Sequence, residues 1–139
     1  MNEIKVRRRG VGGVKSEALP AEYLETLRRA WQKRAKQEKE REEKRRQEAL
    51  ARAVAAARHL KDKYDVDAVY LFGSLVWGKH FTPRSDIDFL VEGFPDASSY
   101  WKMLGELEDI AAPFEVNVIL SEEATFSLRE KARREGKSL

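Results

Sequence analysis

Two short apolar runs in this sequence are joined by the stretch Gly73–Asp88, which reads GSLVWGKHFTPRSDID. The run before it, 68–72, contains β-branched and aromatic residues and is cut off by a glycine, and the run 87–91 after it also ends near a glycine. Runs of this length and composition, bounded by turn residues, are typical of buried strands. The stretch therefore predicts a strand, a glycine-serine turn with a loop, and a second strand.

Two aspartates, Asp86 and Asp88, enter the second predicted strand. Because side chains alternate across a strand, both carboxylates point to one face, with their Cα atoms about 7 Å apart. Carboxylate oxygens are ligands that Mg²⁺ accepts together with the phosphate oxygens of a substrate. A pair of such ions can stabilise both the attacking and the leaving oxygen of a phosphoryl displacement. We therefore expect Asp86 and Asp88 to bind two Mg²⁺ ions.

Gly73 and Ser74 end the first predicted strand. A glycine there lets the backbone approach a ligand closely, and a serine offers a hydroxyl and an N–H to a phosphate. Lys79 and Arg84 follow in the loop and are candidates for contacts with a triphosphate, although loop cations are commonly only solvated. A Gly-Ser pair alone is a turn, and an Asp-x-Asp alone is a solvated strand end. Their combination between two strands predicts a site for metal and phosphate.

This combination resembles the minimal nucleotidyltransferases of the DNA polymerase β superfamily. Their signature is Gly-Ser, a spacer, and Asp-x-Asp inside a phrase such as Ser-Asp-Ile-Asp-Leu-Leu-Val, and here residues 85–91 read SDIDFLV. The resemblance covers residues 50–139 and implies transfer of a nucleoside monophosphate, such as AMP from ATP or another NTP, to a hydroxyl with release of pyrophosphate. Small members are often antitoxin partners of helical HEPN toxins, and some add AMP to a tyrosine of the toxin.

Carried over by position, the resemblance implies that Gly73 and Ser74 bind the triphosphate and that the two aspartates hold Mg²⁺. The later strand departs from the family pattern, which commonly places a third carboxylate in a phrase such as Val-Asp-Leu. This sequence has Asn117 at that position, and an amide there weakens metal binding and deprotonation of the acceptor. Glu115, two residues earlier on the same strand face, is our candidate for the missing carboxylate. Asn117 is assigned to nucleotide binding instead.

Composition limits the classes of protein that fit. The chain has 139 residues, of which 37% are charged and 42% hydrophobic, and it has a formal net charge of +3 and no cysteine. It contains no apolar stretch of about 18 residues that would span a membrane, and no apolar core of a signal peptide. The absence of cysteine excludes disulfides and thiolate metal sites. Neither His59 nor His80 has a paired ligand spacing. These features favour a cytoplasmic protein.

The N-terminal part is predicted to hold a flexible basic leader, 1–20, and a charged helical arm, 21–48. The leader contains the cluster Arg7-Arg8-Arg9, a candidate for contact with nucleic acid or an acidic partner. No glycine or proline interrupts residues 21–63, and a continuous helix of that length would measure roughly 65 Å. Between Lys36 and Glu48 no large apolar residue occurs, so we expect that part to project from the core domain or bridge to a partner.

The arm begins with an apolar stripe formed by Leu24, Leu27 and Trp31 at helical spacing. We favour a contact of this stripe with a second copy of the protein, which would form an oligomer, or with a different partner. The alternative is that the stripe folds back on its own domain.

Residues 49–139 are predicted to form the catalytic core domain, in the order helix, strand, short helix, strand, helix, strand, helix. The first of these helices has an apolar face formed by Leu50, Ala53, Val54, Ala57, Leu60 and Tyr64. Trp77 in the short helix is expected to pack in the core rather than stack on a base. The fold class is α+β, a polymerase β-type nucleotidyltransferase core with a small mixed sheet flanked by helices and a long N-terminal helical arm.

Three functions fit these features. The first is a Mg²⁺-dependent nucleotidyltransferase acting as the antitoxin-like partner of a HEPN-type helical toxin. The second is a catalytically degenerate fold that binds nucleotide or a partner through the arm. The third is an RNA-binding or RNA-modifying protein, which ranks last because the arm carries acids nearly as densely as bases.

Overall fold

The structure is a computed structural model that describes residues 19–139. The predicted basic leader, including Arg7-Arg8-Arg9, lies outside the described residues except for its last two positions. Contacts divide the chain into two compact units, with the boundary between residues 40 and 41. Within residues 19–139, no helix is both long and apolar enough to cross a membrane.

Helix α1 runs from Ala21 to Tyr64 without interruption, as the absence of glycine and proline predicts. Its buried residues all lie in the second half, and they are Ala49, Ala53, Ala56, Ala57 and Leu60. Val54, predicted on the buried face, is instead 42% exposed. The buried stripe consists mainly of alanines because small side chains let a helix approach its neighbours closely. The other five residues of the predicted face are buried or pack against the core, so the prediction is wrong only for Val54.

The N-terminal part of α1 carries large apolar side chains that are exposed in the structure. Leu24 is 44% exposed and Trp31 is 60% exposed, while Leu27 is partly buried. The self-association of this stripe stays a prediction.

The sheet has four strands: β1, Ala68–Phe72; β2, Ile87–Glu92; β3, Val116–Leu120; and β4, Lys137–Ser138. Their order is β3-β2-β1-β4, with β1 antiparallel to β2 and β4, and β2 parallel to β3. The mixed sheet confirms the predicted architecture. Strand β4 was not predicted, because its two residues are exposed and polar and have no apolar alternation to indicate a strand.

Three further helices complete the unit: α2, Ser74–Trp77; α3, Tyr100–Ala111; and α4, Phe126–Glu135. Before the last of these helices, residues Ser121–Glu123 form a separate 3₁₀ turn. The α-helix begins after Thr125, whose side chain accepts a hydrogen bond from the Leu128 N–H. The side chains of β1 to β3 alternate between two buried clusters. One includes α1 and α3, and the other includes Ala132 of α4, so helices flank both faces of the sheet.

Glu106 on α3 links that helix to the end of α1. Its carboxylate accepts hydrogen bonds from Tyr64 and Lys63 and contacts His59 Nε2 at 2.9 Å. The contacts with His59, Lys63 and Tyr64, in that order, lower the pKa of Glu106 to about 2. A carboxyl whose pKa is depressed on folding stabilises the protein above its ordinary pKa, and this contribution is lost as the pH falls toward the folded value.

We therefore expect Glu106→Gln to unfold at a lower temperature than the wild type at pH 7. The difference should shrink as the pH falls from about 4.5 to about 2, where the wild-type carboxyl becomes protonated. Thermal unfolding followed by circular dichroism across this range measures it. The exposed Glu108 on the same helix offers the control Glu108→Gln. If both variants lowered the unfolding temperature equally at pH 7, the contacts of Glu106 would have no special role in stability.

Candidate active site

Strands β2 and β3 bring the predicted acidic residues together with Asn117. Asp88 pairs with Asn117 in the parallel register, and Asp86 directly precedes β2. The Asn117 amide nitrogen donates to Asp86 Oδ2 at 3.1 Å and to Asp88 Oδ1 at 3.0 Å. Because one amide group reaches both carboxylates, the two aspartates lie on the same face, as the alternation of a strand predicts.

Gly73 lies directly against the carboxylate of Asp88. It follows β1, whose last residue Phe72 pairs with Asp88, and its φ of 82° is in the left-handed region. A Cβ atom at Gly73 would lie 2.1 Å from Asp88 Oδ2, which is far inside van der Waals contact. Only glycine therefore lets the backbone turn this close to the carboxylate. Ser74 comes next and begins α2, so the serine predicted to bind phosphate is adjacent to the aspartate pair.

The fold disfavours the ionised form of Asp88. Burial raises the pKa of Asp88, the hydrogen bond from Asn117 lowers it, and the negative charge of Asp86 raises it again, with the net direction upward. A cation between the carboxylates would offset both of the raising effects. Among residues 19–139 no group of three or more His, Cys, Asp or Glu side chains converges as a metal site. Mg²⁺ is commonly held by one or two carboxylates plus substrate phosphates, so the aspartate pair fits such an ion.

Glu115 and Arg84 border the aspartate pair on the β3 side. With four other residues they line a cavity of about 220 Å³, which we call the Asp86 cavity; the others are Pro83, Ser85, Asp86 and Pro113. The Glu115 carbonyl accepts a hydrogen bond from the Ile87 N–H at 2.9 Å, which ties the start of β3 to the start of β2. Glu115 is thus beside Asp86, and its catalytic role stays a prediction.

The loop cations differ in their placement. Arg84 lines the Asp86 cavity, and its backbone N–H donates to Thr82 Oγ1 in a turn that Ser85 also closes by a hydrogen bond. Lys79 is exposed in the loop after α2 and is not among the residues that line this cavity. Contact of either residue with a nucleotide stays a prediction.

Sequence reasoning missed a group of charged residues on α1 that hold the loop between Gly73 and Asp86. Arg46 donates to the carbonyl oxygens of Leu75 at 2.7 Å and Gly78 at 3.3 Å. Arg45 donates to the Phe81 carbonyl at 2.9 Å, and Glu42 accepts from the Phe81 N–H at 3.2 Å. The backbone groups at the end of α2 and in the following loop are thus satisfied by side chains of α1.

The expectation that the charged part of α1 projects from the core is therefore wrong for Glu42, Arg45 and Arg46. That expectation rested on apolar residues, which this part lacks. Charged side chains instead bind backbone N–H and carbonyl groups, an interaction that leaves no apolar periodicity in the sequence.

Trp77 and the two histidines have structural partners. Trp77 packs at 5.9 Å from the Phe72 ring and donates from Nε1 to the Glu135 carbonyl, which confirms the prediction of a core position. His59 contacts Glu106, and His80 contacts Glu42, so neither lies at the aspartate pair.

Comparisons with known proteins agree with this geometry. A family model described as "Polymerase beta, Nucleotidyltransferase" matches residues 56–139, which include the Gly73–Asp88 stretch and Asn117. Over 55 residues the chain is 44% identical to a putative protein adenylyltransferase of Methanocaldococcus jannaschii, a match that covers 37% of this chain and 54% of that protein. The chain thus spans about half the length of this curated relative.

A crystal structure of a mutant of the toxin-antitoxin MntA-HpeT is also similar in fold. The match has a TM-score of 0.48 and 23% sequence identity, and it covers 62% of this chain and 68% of that chain.

Proposed function

Because this chain belongs to the polymerase β nucleotidyltransferase family, we propose that it transfers AMP from ATP to a hydroxyl group of a protein partner. The observation that carries the proposal is that the carboxylates of Asp86 and Asp88 meet at the Asn117 amide, and that Gly73 lies against Asp88. The family implies an NTP substrate and a divalent metal in general. The 44% identity to a protein described as a putative protein adenylyltransferase supports AMP as the transferred group and a protein as the acceptor.

In this reaction the acceptor oxygen forms a bond to the α-phosphorus of ATP. The bond from that phosphorus to the bridging oxygen breaks, and pyrophosphate leaves. Gly73 and Ser74 bind the triphosphate beside β1, and Asp86 and Asp88 would hold two Mg²⁺ ions, which would neutralise charge that develops on the phosphate oxygens. Glu115, which lines the Asp86 cavity, accepts the proton of the attacking hydroxyl.

The acceptor that we propose is a HEPN-type helical toxin, with the hydroxyl supplied by a tyrosine. The ground for this step is the resemblance of residues 73–91 to the minimal nucleotidyltransferases, whose small members pair with such toxins. The protein would then act in the cytoplasm as an antitoxin that inactivates its partner covalently.

A second candidate is nucleotide binding without turnover. Asn117 favours it, because its amide nitrogen donates to both carboxylates at the position where the family commonly has a third carboxylate. A site of this kind would neutralise a partner by contact alone.

A transfer assay distinguishes the two candidates. The full chain is incubated with α-labelled ATP, Mg²⁺ and the HEPN protein encoded beside it, or with tyrosine-containing peptides where no such protein is found. Label on the acceptor, dependent on Mg²⁺ and lost on adding a chelator, supports the enzyme. Binding of ATP without transfer to any acceptor under Mg²⁺ or Mn²⁺ overturns the proposed transfer and supports the second candidate.

Asn117→Asp tests what the amide does. A third carboxylate loses the two donated hydrogen bonds and repels Asp86 and Asp88, so we expect a lower unfolding temperature in the presence of a chelator. Added Mg²⁺ should reverse the loss and bind about tenfold more tightly than in the wild type. Thermal unfolding over a Mg²⁺ titration measures both effects. Equal Mg²⁺ affinity in the two proteins would exclude position 117 from the metal site.

A further inference from the structure

The sheet order separates the two substrates of a transfer reaction. Gly73 and Ser74 follow β1, Asp88 lies on β2, and Asn117 lies on β3, which flanks β2 on the side opposite β1. The attacking and leaving oxygens of a phosphoryl transfer lie roughly in line on opposite sides of the phosphorus. With the triphosphate on the β1 side, the acceptor hydroxyl must enter from the β3 side.

A groove opens on that side and meets the Asp86 cavity. It has a volume of about 450 Å³ and is lined by Arg41, Lys44, Arg45, Glu48, Pro83, Pro113 and Phe114. Pro83 and Pro113 line both the groove and the Asp86 cavity, so the two lie next to each other. We call it the α1 groove, because about two turns of α1 supply its charged wall.

The α1 groove combines positive charge with an apolar floor. Three of its four charged residues are basic. Arg45 donates a hydrogen bond to the Phe81 carbonyl, while Lys44 is exposed and makes no ion pair within residues 19–139. Phe114 and the two prolines supply the apolar surface. Such a surface is complementary to a peptide segment that has acidic side chains and some apolar area.

We propose that the α1 groove binds an acidic segment of the acceptor protein and thereby presents the neighbouring hydroxyl to the Asp86 cavity. This inference rests on the proposed function, because it assigns the acceptor to the β3 side of the same site. It adds the chemical character of the acceptor sequence and the residues that select it.

One observation favours a peptide over a nucleic-acid strand. Phe114 packs against the Phe81 ring at a centroid distance of 6.0 Å and is half-buried, so it does not offer the open aromatic face on which unpaired bases stack.

The test measures binding separately from turnover. Fluorescein-labelled peptides with one tyrosine among six glutamates, or among six lysines, are titrated with the full chain at low salt and followed by fluorescence anisotropy. We expect the glutamate peptide to bind more tightly than the lysine peptide. Lys44→Glu should weaken its binding roughly tenfold, because an attractive charge becomes repulsive. Lys33→Glu, the same charge change at an exposed position of α1 outside the groove, should leave binding unchanged.

Each result has a distinct meaning. Equal binding by the wild type and Lys44→Glu overturns the proposal, and so does tighter binding of a single-stranded RNA of similar length that displaces the glutamate peptide. A parallel measurement of ATP binding in Mg²⁺ separates this inference from the proposed function. If ATP still binds but the glutamate peptide binds no better than the lysine peptide, peptide binding by the α1 groove is refuted. If the glutamate peptide is preferred but ATP does not bind, the proposed nucleotidyl transfer is refuted, whereas peptide binding by the groove is not.

Discussion

Asp88→Asn is expected to lower AMP transfer by roughly a hundredfold to a thousandfold, without destabilising the folded protein. The carboxylate lies against Gly73 and beside Asp86, where the proposed reaction needs negative charge to hold Mg²⁺. Burial and the charge of Asp86 raise the pKa of Asp88, so its ionised form is disfavoured in the folded state relative to the unfolded chain. An asparagine removes that cost and can still accept the hydrogen bond from Asn117.

Two measurements check this prediction. Transfer of label from ATP gives the loss of activity, and thermal unfolding at pH 7 without divalent cations should give an unfolding temperature equal to or above that of the wild type. Asp109→Asn, an identical change at an exposed position of α3, serves as the control and should alter neither quantity. Wild-type activity in Asp88→Asn would remove this carboxylate from the catalytic site.

Gly73→Ala should strongly reduce both stability and ATP binding, because the substitution strains the backbone at position 73 and displaces Asp88. The new Cβ would lie 2.1 Å from Asp88 Oδ2 at a residue whose φ is 82°. The backbone strain alone costs on the order of 1 to 3 kcal/mol, and relief of the clash must displace the Asp88 carboxylate or the turn that precedes Ser74. We expect a lower unfolding temperature together with a loss of ATP binding of at least about tenfold.

Gly105 provides the matched substitution. It lies within α3, and a Cβ there would meet nothing within 4 Å. Gly105→Ala should therefore stabilise the protein by about 0.5 to 1 kcal/mol and leave ATP binding unchanged. If Gly73→Ala behaved like Gly105→Ala, the close approach of Gly73 and Asp88 would have no role in the site.

Side chains of α1 bind the backbone of the loop between the two halves of the site. The carbonyl oxygens of Leu75 and Gly78 and both backbone groups of Phe81 are bound by side chains of α1. Glu42, Arg45 and Arg46 therefore connect the helix to the segment that joins Ser74 to Asp86.

The local sequence was sufficient to predict the strands that form the site. The apolar runs 68–72 and 87–91 became β1 and β2, and the alternation of side chains correctly placed Asp86 and Asp88 on one face. The helix over residues 21–63 also followed from composition alone. These features depend on backbone propensity and on the period of a strand or helix, both of which are local properties of the chain.

Only the tertiary structure decided which distant groups meet that site. The pairing of Asn117 with Asp88 depends on the register of two parallel strands, and the contact of Gly73 with Asp88 depends on the antiparallel pairing of β1 and β2. The hydrogen bond from Arg46 to Leu75 joins segments about thirty residues apart, and the α1 groove joins α1 to residues still farther along the chain. Such contacts leave no periodic trace, because a charged side chain that binds a backbone carbonyl has the same local sequence as one that is solvated. The sequence therefore determined the strand pair and its two aspartates, and the packing of α1 and β3 decided what surrounds them.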